Sequence, residues 1–314
     1  MLSLYSGAPC LAIGAVQEKW VFPDHAAFLS QVIAWNFGSV EFKYEVRIDP
    51  DGILRGSLGT HLGRIAHEQN IRVSVHAPYD DGMNLGAVDL ALLQETRKRV
   101  RYSIEFAERV NAKSLTIHGG FLELGEMHGS EEERGRPPYE IARQRAGEKA
   151  VAELKARIFE EVGRVVEYGA RRGIRVALEN LHGFSSTRVR FPVTPQDFAE
   201  CRKALGKFPI VYDTGHAHST GLEPTEFISK VGPENIIGTH IHDNDGTGDS
   251  HMPVGRGNIR FDLLLRDYIR RGWDFPLNIE VRSVEDFEES KRYFQEFSKA
   301  QLVTKTGTLD WRRR

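Results

Sequence analysis

Two hydrophobic periods alternate along the chain. Eight short apolar runs bounded by turn residues recur at 10–14, 39–42, 72–76, 114–118, 175–179, 210–213, 236–240 and 276–280. Near-continuous runs of this kind fit strands buried on both faces, as in parallel sheets. Between them lie longer stretches with apolar residues three and four apart, which predict helices such as 87–110, 142–172 and 261–271. Eight strand–helix units match an α/β fold of the (β/α)8 barrel type better than a doubly wound sheet. No composition shift or Pro/Ser-rich linker divides the chain, so residues 1–314 read as a single domain. Two segments depart from the pattern. A polar insertion at about 123–138 follows the fourth strand and would sit on the C-terminal rim, as a lid or as a mobile segment without function. The tail from Thr304 ends in three arginines and reads as a frayed terminus.

Composition narrows the classes. Forty per cent apolar and 27% charged residues describe an ordinary globular chain, and a net charge of −2 argues against a generally nucleic-acid-binding surface. No apolar run approaches about 18 residues, so no membrane span is expected. The N-terminus lacks the basic and apolar segments of a secretory signal, which makes the cytoplasm the expected compartment. Cys10 and Cys201 lie too far apart in sequence to suggest a disulfide framework or a thiolate site. Any metal must then be held by His, Asp and Glu.

Those residues stand where a barrel would use them. Six of the eight runs end on a group able to bind metal: His76, His118, Glu179, Asp213, His240 and Glu280. The C-terminal strand ends of a barrel converge on its mouth, so these six become neighbours. Packing them together without a cation is opposed by desolvation and like-charge repulsion. Asp213-Thr-Gly-His216-Ala-His218 adds a His just after the strand tip, and Asp249 and His251 lie in the loop after strand seven. His242 and Asp243 are expected to support His240, whereas His128, His182 and His218 read as ordinary loop residues. Oxygen and imidazole donors without Cys suit Mn, Mg, Co or Zn. If Glu179 and Glu280 both reach a chelated substrate, they could move protons α to a carbonyl; as ligands alone, they suit phosphodiester hydrolysis.

In these residues the chain resembles the xylose isomerase-like TIM barrels, a superfamily that includes sugar isomerases, ketose 3-epimerases and endonuclease IV. The resemblance runs from His76-Ala-Pro-Tyr79 to Glu280. It implies a single-metal epimerase ligand set of Glu179, Asp213, His240 and Glu280, with Glu179 and Glu280 as the acid/base pair. His216 and Arg256 would contact substrate, Arg256 within the epimerase-like Met252-Pro-Val-Gly-Arg-Gly257. Endonuclease IV implies further ligands for up to three Zn ions, falling on His76, His118, His216, Asp249 and His251. Tyr79 and Asn84-Leu85-Gly86 also echo that enzyme. Its duplex-probing segment after strand two has no counterpart at residues 42–47, and the Ala-Gly-containing loop after its strand-five Glu is not reproduced by Asn180–Ser186. Arg188, Arg190 and Arg256 could meet phosphates, but Glu131, Glu132, Glu133, Asp243, Asp245 and Asp249 oppose a DNA-binding mouth. The expectation is a metal-dependent isomerase or epimerase acting on a small-molecule sugar, polyol or sugar phosphate, with one ion. The alternative is a zinc phosphodiesterase acting at abasic sites, the one reading in which DNA is a partner. A homo-oligomer is compatible with either.

Overall fold

The apolar runs fold as a closed parallel barrel in the computed structural model, which describes residues 11–44, 56–79, 83–125 and 129–305. Cys10, His128 and most of the arginine-ended tail lie outside these residues. In chain order the strands are β1 (Ile13–Val16), β2 (Ser39–Lys43), β3 (Arg72–His76), β4 (Ser114–Ile117), β5 (Gly120–Glu123), β6 (Arg175–Glu179), β7 (Arg188–Phe191), β8 (Ile210–Asp213), β9 (Ile236–Ile241) and β10 (Leu277–Ile279). The barrel order is β1-β10-β9-β8-β6-β4-β3-β2, and β5 pairs antiparallel with β7 outside it. The helices are α1 (His25–Ala34), α2 (Leu58–Glu68), α3 (Leu90–Arg109), α4 (Pro138–Ala146), α5 (Glu148–Ala170), α6 (Pro195–Leu205), α7 (Thr214–His218), α8 (Pro224–Val231), α9 (Phe261–Arg271) and α10 (Val284–Lys305).

Local chemistry accounts for the boundaries. Asp24 and Asp89 cap α1 and α3 by accepting from Ala27 N and Leu92 N, each at 2.7 Å. The helix expected from residue 87 therefore starts at Leu90. The helix expected over 142–172 is broken at Gly147, whose φ of +78° ends α4 before α5 begins. The first strand begins at Ile13 rather than at residue 10.

The rim insertion is built structure in its described part. Its start belongs to β5, and Glu133 then forms a bidentate pair with Arg145 of α4, 2.7 Å for each bond. β5 and β7 together make a hairpin-like flap that the sequence pattern did not predict.

Two layers of packing position the mouth. Between strands and helices the core is aromatic, with Phe42 set against Phe28 and Phe106 and with Tyr44 stacked on Phe106. Trp35 at the end of α1 stacks on Phe287 of α10 at 4.9 Å, joining the first unit to the last. Inside the barrel the side chains are polar, where Val, Ile and Leu usually dominate. Ser39 Oγ donates to Asn278 Oδ1 at 2.6 Å, passing over Gly14 of the intervening β1. Ser74 and Thr116 both donate to Glu41 Oε2, at 2.7 and 3.1 Å. No helix among the described residues is long and apolar enough to cross a membrane.

The aromatic core also holds a titratable group. His25 packs against Phe42 and Phe106, and burial pushes its imidazole down to about 4, with Asp24 acting weakly the other way. An unfolded His takes up its proton near pH 6.5, before the folded one does, so acid favours the unfolded chain. Stability is therefore expected to fall as pH drops from about 6.5 towards 4, by an amount on the order of 2 kcal/mol. His25→Gln should flatten that part of the curve in denaturation measured across pH; an unchanged slope would show that His25 titrates normally.

Candidate metal centre

The parallel register sets the strand ends level, and the six terminal donors meet at the mouth. Glu179 at the end of β6 lies at the centre. Its Oε2 is 3.0 Å from His76 Nε2 and 3.2 Å from His118 Nε2. Its Oε1 is 3.2 Å from both His216 Nδ1 and His240 Nδ1. Glu280 Oε2 approaches the same His240 nitrogen at 3.2 Å, and Asp213 Oδ2 at 3.8 Å. Asp213 also caps the short α7, accepting from His216 N at 2.6 Å, so the Asp-Thr-Gly-His spacing fixes the position of His216. Asp249 Oδ2 lies 3.4 Å from both His216 Nε2 and His251 Nε2. The structure thus brings together His76, His118, Glu179, Asp213, His216, His240, Asp249, His251 and Glu280.

Support comes from residues that sequence reasoning passed over. Glu41 Oε1 holds His240 Nε2 at 2.7 Å, leaving Nδ1 to face Glu179, Asp213 and Glu280. Lys43, buried beside it on β2, bonds Glu280 Oε1 at 2.7 Å, also bonds Glu18, and lies over the Tyr79 ring. A signal for both was present: Ser39-Val-Glu-Phe-Lys places two charged residues two positions apart in an otherwise apolar run, hence on one face. Asp243 does not touch His240 but organises the following loop, accepting from Asn244 N, Gly255 N, Gly257 N and Ile259 N at 2.9–3.1 Å. His242 likewise faces Asp213 rather than His240. Arg256, expected at the substrate, is an exposed side chain paired with Glu289 and is not among the residues that line the cavity. His182 does line the mouth, its ring 5.5 Å from that of His216. His218 bonds Asn244 at 2.6 Å, outside the donor cluster.

The electrostatics describe a cluster balanced by protons. Burial alone would raise Glu179, but His240 and His118 hold it well below the usual carboxylate range. Burial likewise opposes ionisation of Glu280, and Lys43 and His240 overcome it. Burial would lower His240 and His216, yet the facing carboxylates raise both well above an ordinary imidazole. Asp249 brings His251 up to about 9 against its burial. Each imidazolium proton here does work that a cation could do instead.

The donors fit a divalent ion. His240 Nδ1 is buried and makes no hydrogen bond although three carboxylates surround it, and Asp249 Oδ1 is also buried without a partner. Ligands of one ion sit about 2.0–2.2 Å from it and hence roughly 3–4 Å from one another, the spacing found here. His76, His118 and Glu179 form one compact donor group, and Glu179, Asp213 and His240 form another. Above them opens a cavity of about 540 Å³, lined also by Tyr79, Trp20, Arg188, Arg190 and Arg282.

Comparison with known proteins agrees with the barrel fold. Residues 29–297 match the model of a family described as xylose isomerase-like TIM barrel. An uncharacterized protein of Methanocaldococcus jannaschii is 27% identical over 244 residues, 76% of this chain and 73% of that protein. A D-tagatose 3-epimerase-like protein of known structure superposes with a TM-score of 0.73 at 24% identity, covering 95% of this chain and 100% of that one. An L-ribulose 3-epimerase structure gives 0.68 at 15% identity, covering 97% and 100%. At these identities the two structures establish a shared fold.

Glu41→Gln keeps the size of the side chain and removes its charge. It is expected to weaken divalent-metal affinity about 10- to 100-fold, and to lower the thermal stability of metal-free protein because His240 loses its buried counter-charge. Competition with a chromophoric chelator measures this; wild-type affinity would show that Glu41 does not orient His240.

Proposed function

The chain belongs to the xylose isomerase-like TIM barrel family, and from that premise we propose a divalent-metal-dependent isomerase or epimerase of a small sugar, polyol or sugar phosphate. The observation that carries this is the convergence of Glu179 and Glu280, each with an oxygen 3.2 Å from His240 Nδ1 and both lining one small cavity. A volume of about 540 Å³ suits a small molecule. An ion held by Glu179, Asp213, His240 and Glu280 would supply a Lewis acid for neighbouring substrate oxygens.

The chain's own groups would do the rest. One of Glu179 and Glu280 removes a proton from the carbon next to the carbonyl, leaving an enediolate, and a carboxylate returns it. Lys43 occupies Glu280 Oε1, which leaves Oε2 as the oxygen directed into the site. Arg188 and Arg190 alternate on β7 and so share one face, while Arg282 lies across the cavity and donates to Asp249 O at 3.1 Å. Arg188 is ion-paired with Glu123, and the group as a whole makes a substrate that carries an anionic group compatible with the cavity.

A second reading, an endonuclease IV-like zinc phosphodiesterase, is favoured by one specific feature. His216, Asp249 and His251 form an outer donor group beyond what a single ion at Glu179, Asp213, His240 and Glu280 requires.

Metal-loaded protein in deuterium oxide should exchange the α-proton of a ketose substrate, followed by NMR. Glu280→Gln should reduce that exchange by about 10²- to 10⁴-fold. No exchange by loaded wild type across a broad ketose and ketose-phosphate panel would overturn the isomerase reading. Incision of abasic duplex, steeply weakened by salt, would put the phosphodiesterase in its place.

A further inference from the structure

The end of the barrel opposite the mouth is hollow as well. A cavity of about 420 Å³ opens between the N-terminal ends of the strands and reaches inward to Glu41. In this fold, layers of Val, Ile and Leu normally fill that part of the axis. Here the lining is Ser39, Ser74, Ser114 and Gly238, which are too small to close it. The register that ends in metal donors at the mouth begins in cations at this end. Arg72, Ser74 and His76 alternate on β3, as Arg175, Ala177 and Glu179 do on β6, so each set shares the inward face. Lys113 lies between them: its N–H bonds the carbonyl of Val73 and its carbonyl accepts from Arg175 N, each at 3.1 Å.

These three cations have no carboxylate partner among the described residues, whereas Arg97 and Arg143 elsewhere pair with Glu161 and Asp197. Arg72 Nη1 donates to the backbone carbonyl of Asp274 at 2.9 Å, and Lys113 Nζ to Asn111 Oδ1 at 3.0 Å, both neutral acceptors. The Arg175 guanidinium lines the cavity with no protein acceptor among the described residues. Against the three, the rim sets one carboxylate, Asp274; Glu41 at the inner end is already held by Ser74, Thr116 and His240. Deeper in, Asn278 is 2% exposed and its Oδ1 accepts from Ser39, yet its amide nitrogen donates to no described residue. A buried donor left open in this way calls for an acceptor. Water would satisfy Asn278 but would leave the charge at the rim uncompensated.

We propose that this cavity is a second small-molecule site, separate from the mouth, which takes a phosphate-bearing polyol. The phosphate sits among Arg72, Lys113 and Arg175, and the hydroxyls reach in to Asn278 and Ser114. Three cations from neighbouring strands around one opening match an anion with several oxygens. The volume lies within the range of small-ligand pockets. Glu41 separates this site from the donor cluster, so the site stands whatever the mouth catalyses.

Calorimetric titration of the full chain in chelator, with inorganic phosphate and then glycerol 3-phosphate, tests this without involving a bound metal. Saturable binding is expected. Arg175→Gln and Lys113→Gln change exposed side chains and leave the packing intact, and each should weaken binding by at least about 10-fold. Arg282→Gln, at the mouth, should leave it within about 2-fold of wild type. No saturable binding would overturn the proposal. So would binding lost in Arg282→Gln but retained in Arg175→Gln and Lys113→Gln, which would put the anion at the mouth. Glycerol 3-phosphate should bind more tightly than inorganic phosphate; equal or weaker binding would refute the polyol and leave a site for free phosphate.

Discussion

Charge balance in a dry barrel mouth is the constraint on which the rest of the structure depends. Glu41, Glu179, Asp213 and Glu280 are almost completely buried, each with an oxygen within 3.8 Å of a His240 nitrogen. Carboxylates so placed cannot stay ionised without partners. Imidazoles come from β3, β9 and the segments after β4 and β8, and Lys43 from β2, so nearly every strand of the barrel contributes to neutrality. The parallel register, the caps and the aromatic seam between α1 and α10 all serve to bring these groups level.

The same constraint explains the polar interior. An oxygen of Glu41 that faces down the barrel needs donors, and Ser74 and Thr116 provide them where apolar residues would leave it unsatisfied. The other oxygen holds His240 from behind, so the lower barrel and the metal-facing atom are parts of one hydrogen-bond chain. The loop after β9 is treated in the same way. Asp243 gathers four backbone N–H groups and thereby fixes the route of the chain that delivers Asp249 and His251.

The two proposed chemistries would draw on one donor cluster and would differ in how many ions share it. With an ion only at Glu179, Asp213, His240 and Glu280, the remaining imidazoles are hydrogen-bond partners around a small-molecule cavity. With the outer group filled as well, His216, Asp249 and His251 would serve as ligands rather than as hydrogen-bond partners. Arg188, Arg190 and Arg282 face the cavity in either case, and an anionic substrate is compatible with both.

Much of this was legible in the sequence. The alternation of apolar runs with helical stretches determined an eight-unit barrel, because strands buried on both faces and helices buried on one leave different periods. The ends of the runs named His76, His118, Glu179, Asp213, His240 and Glu280, since parallel pairing makes every strand end a mouth position. Closure of the barrel decided the remainder. In a strand buried on both sides, periodicity tells which residues share a face but not which face looks inward. Glu41 and Lys43 therefore became visible only when β2 was placed beside β1 and β3. The β5–β7 flap required pairing between segments distant in the chain, which no local pattern records. Which arginines line the cavity was likewise not legible: Arg188 and Arg190 do so from β7, whereas Arg256 pairs with Glu289 at the surface. His242 could be read as a neighbour of His240, but that it faces Asp213 through a slot cleared by Gly215 was decided by how α7 packs against β9.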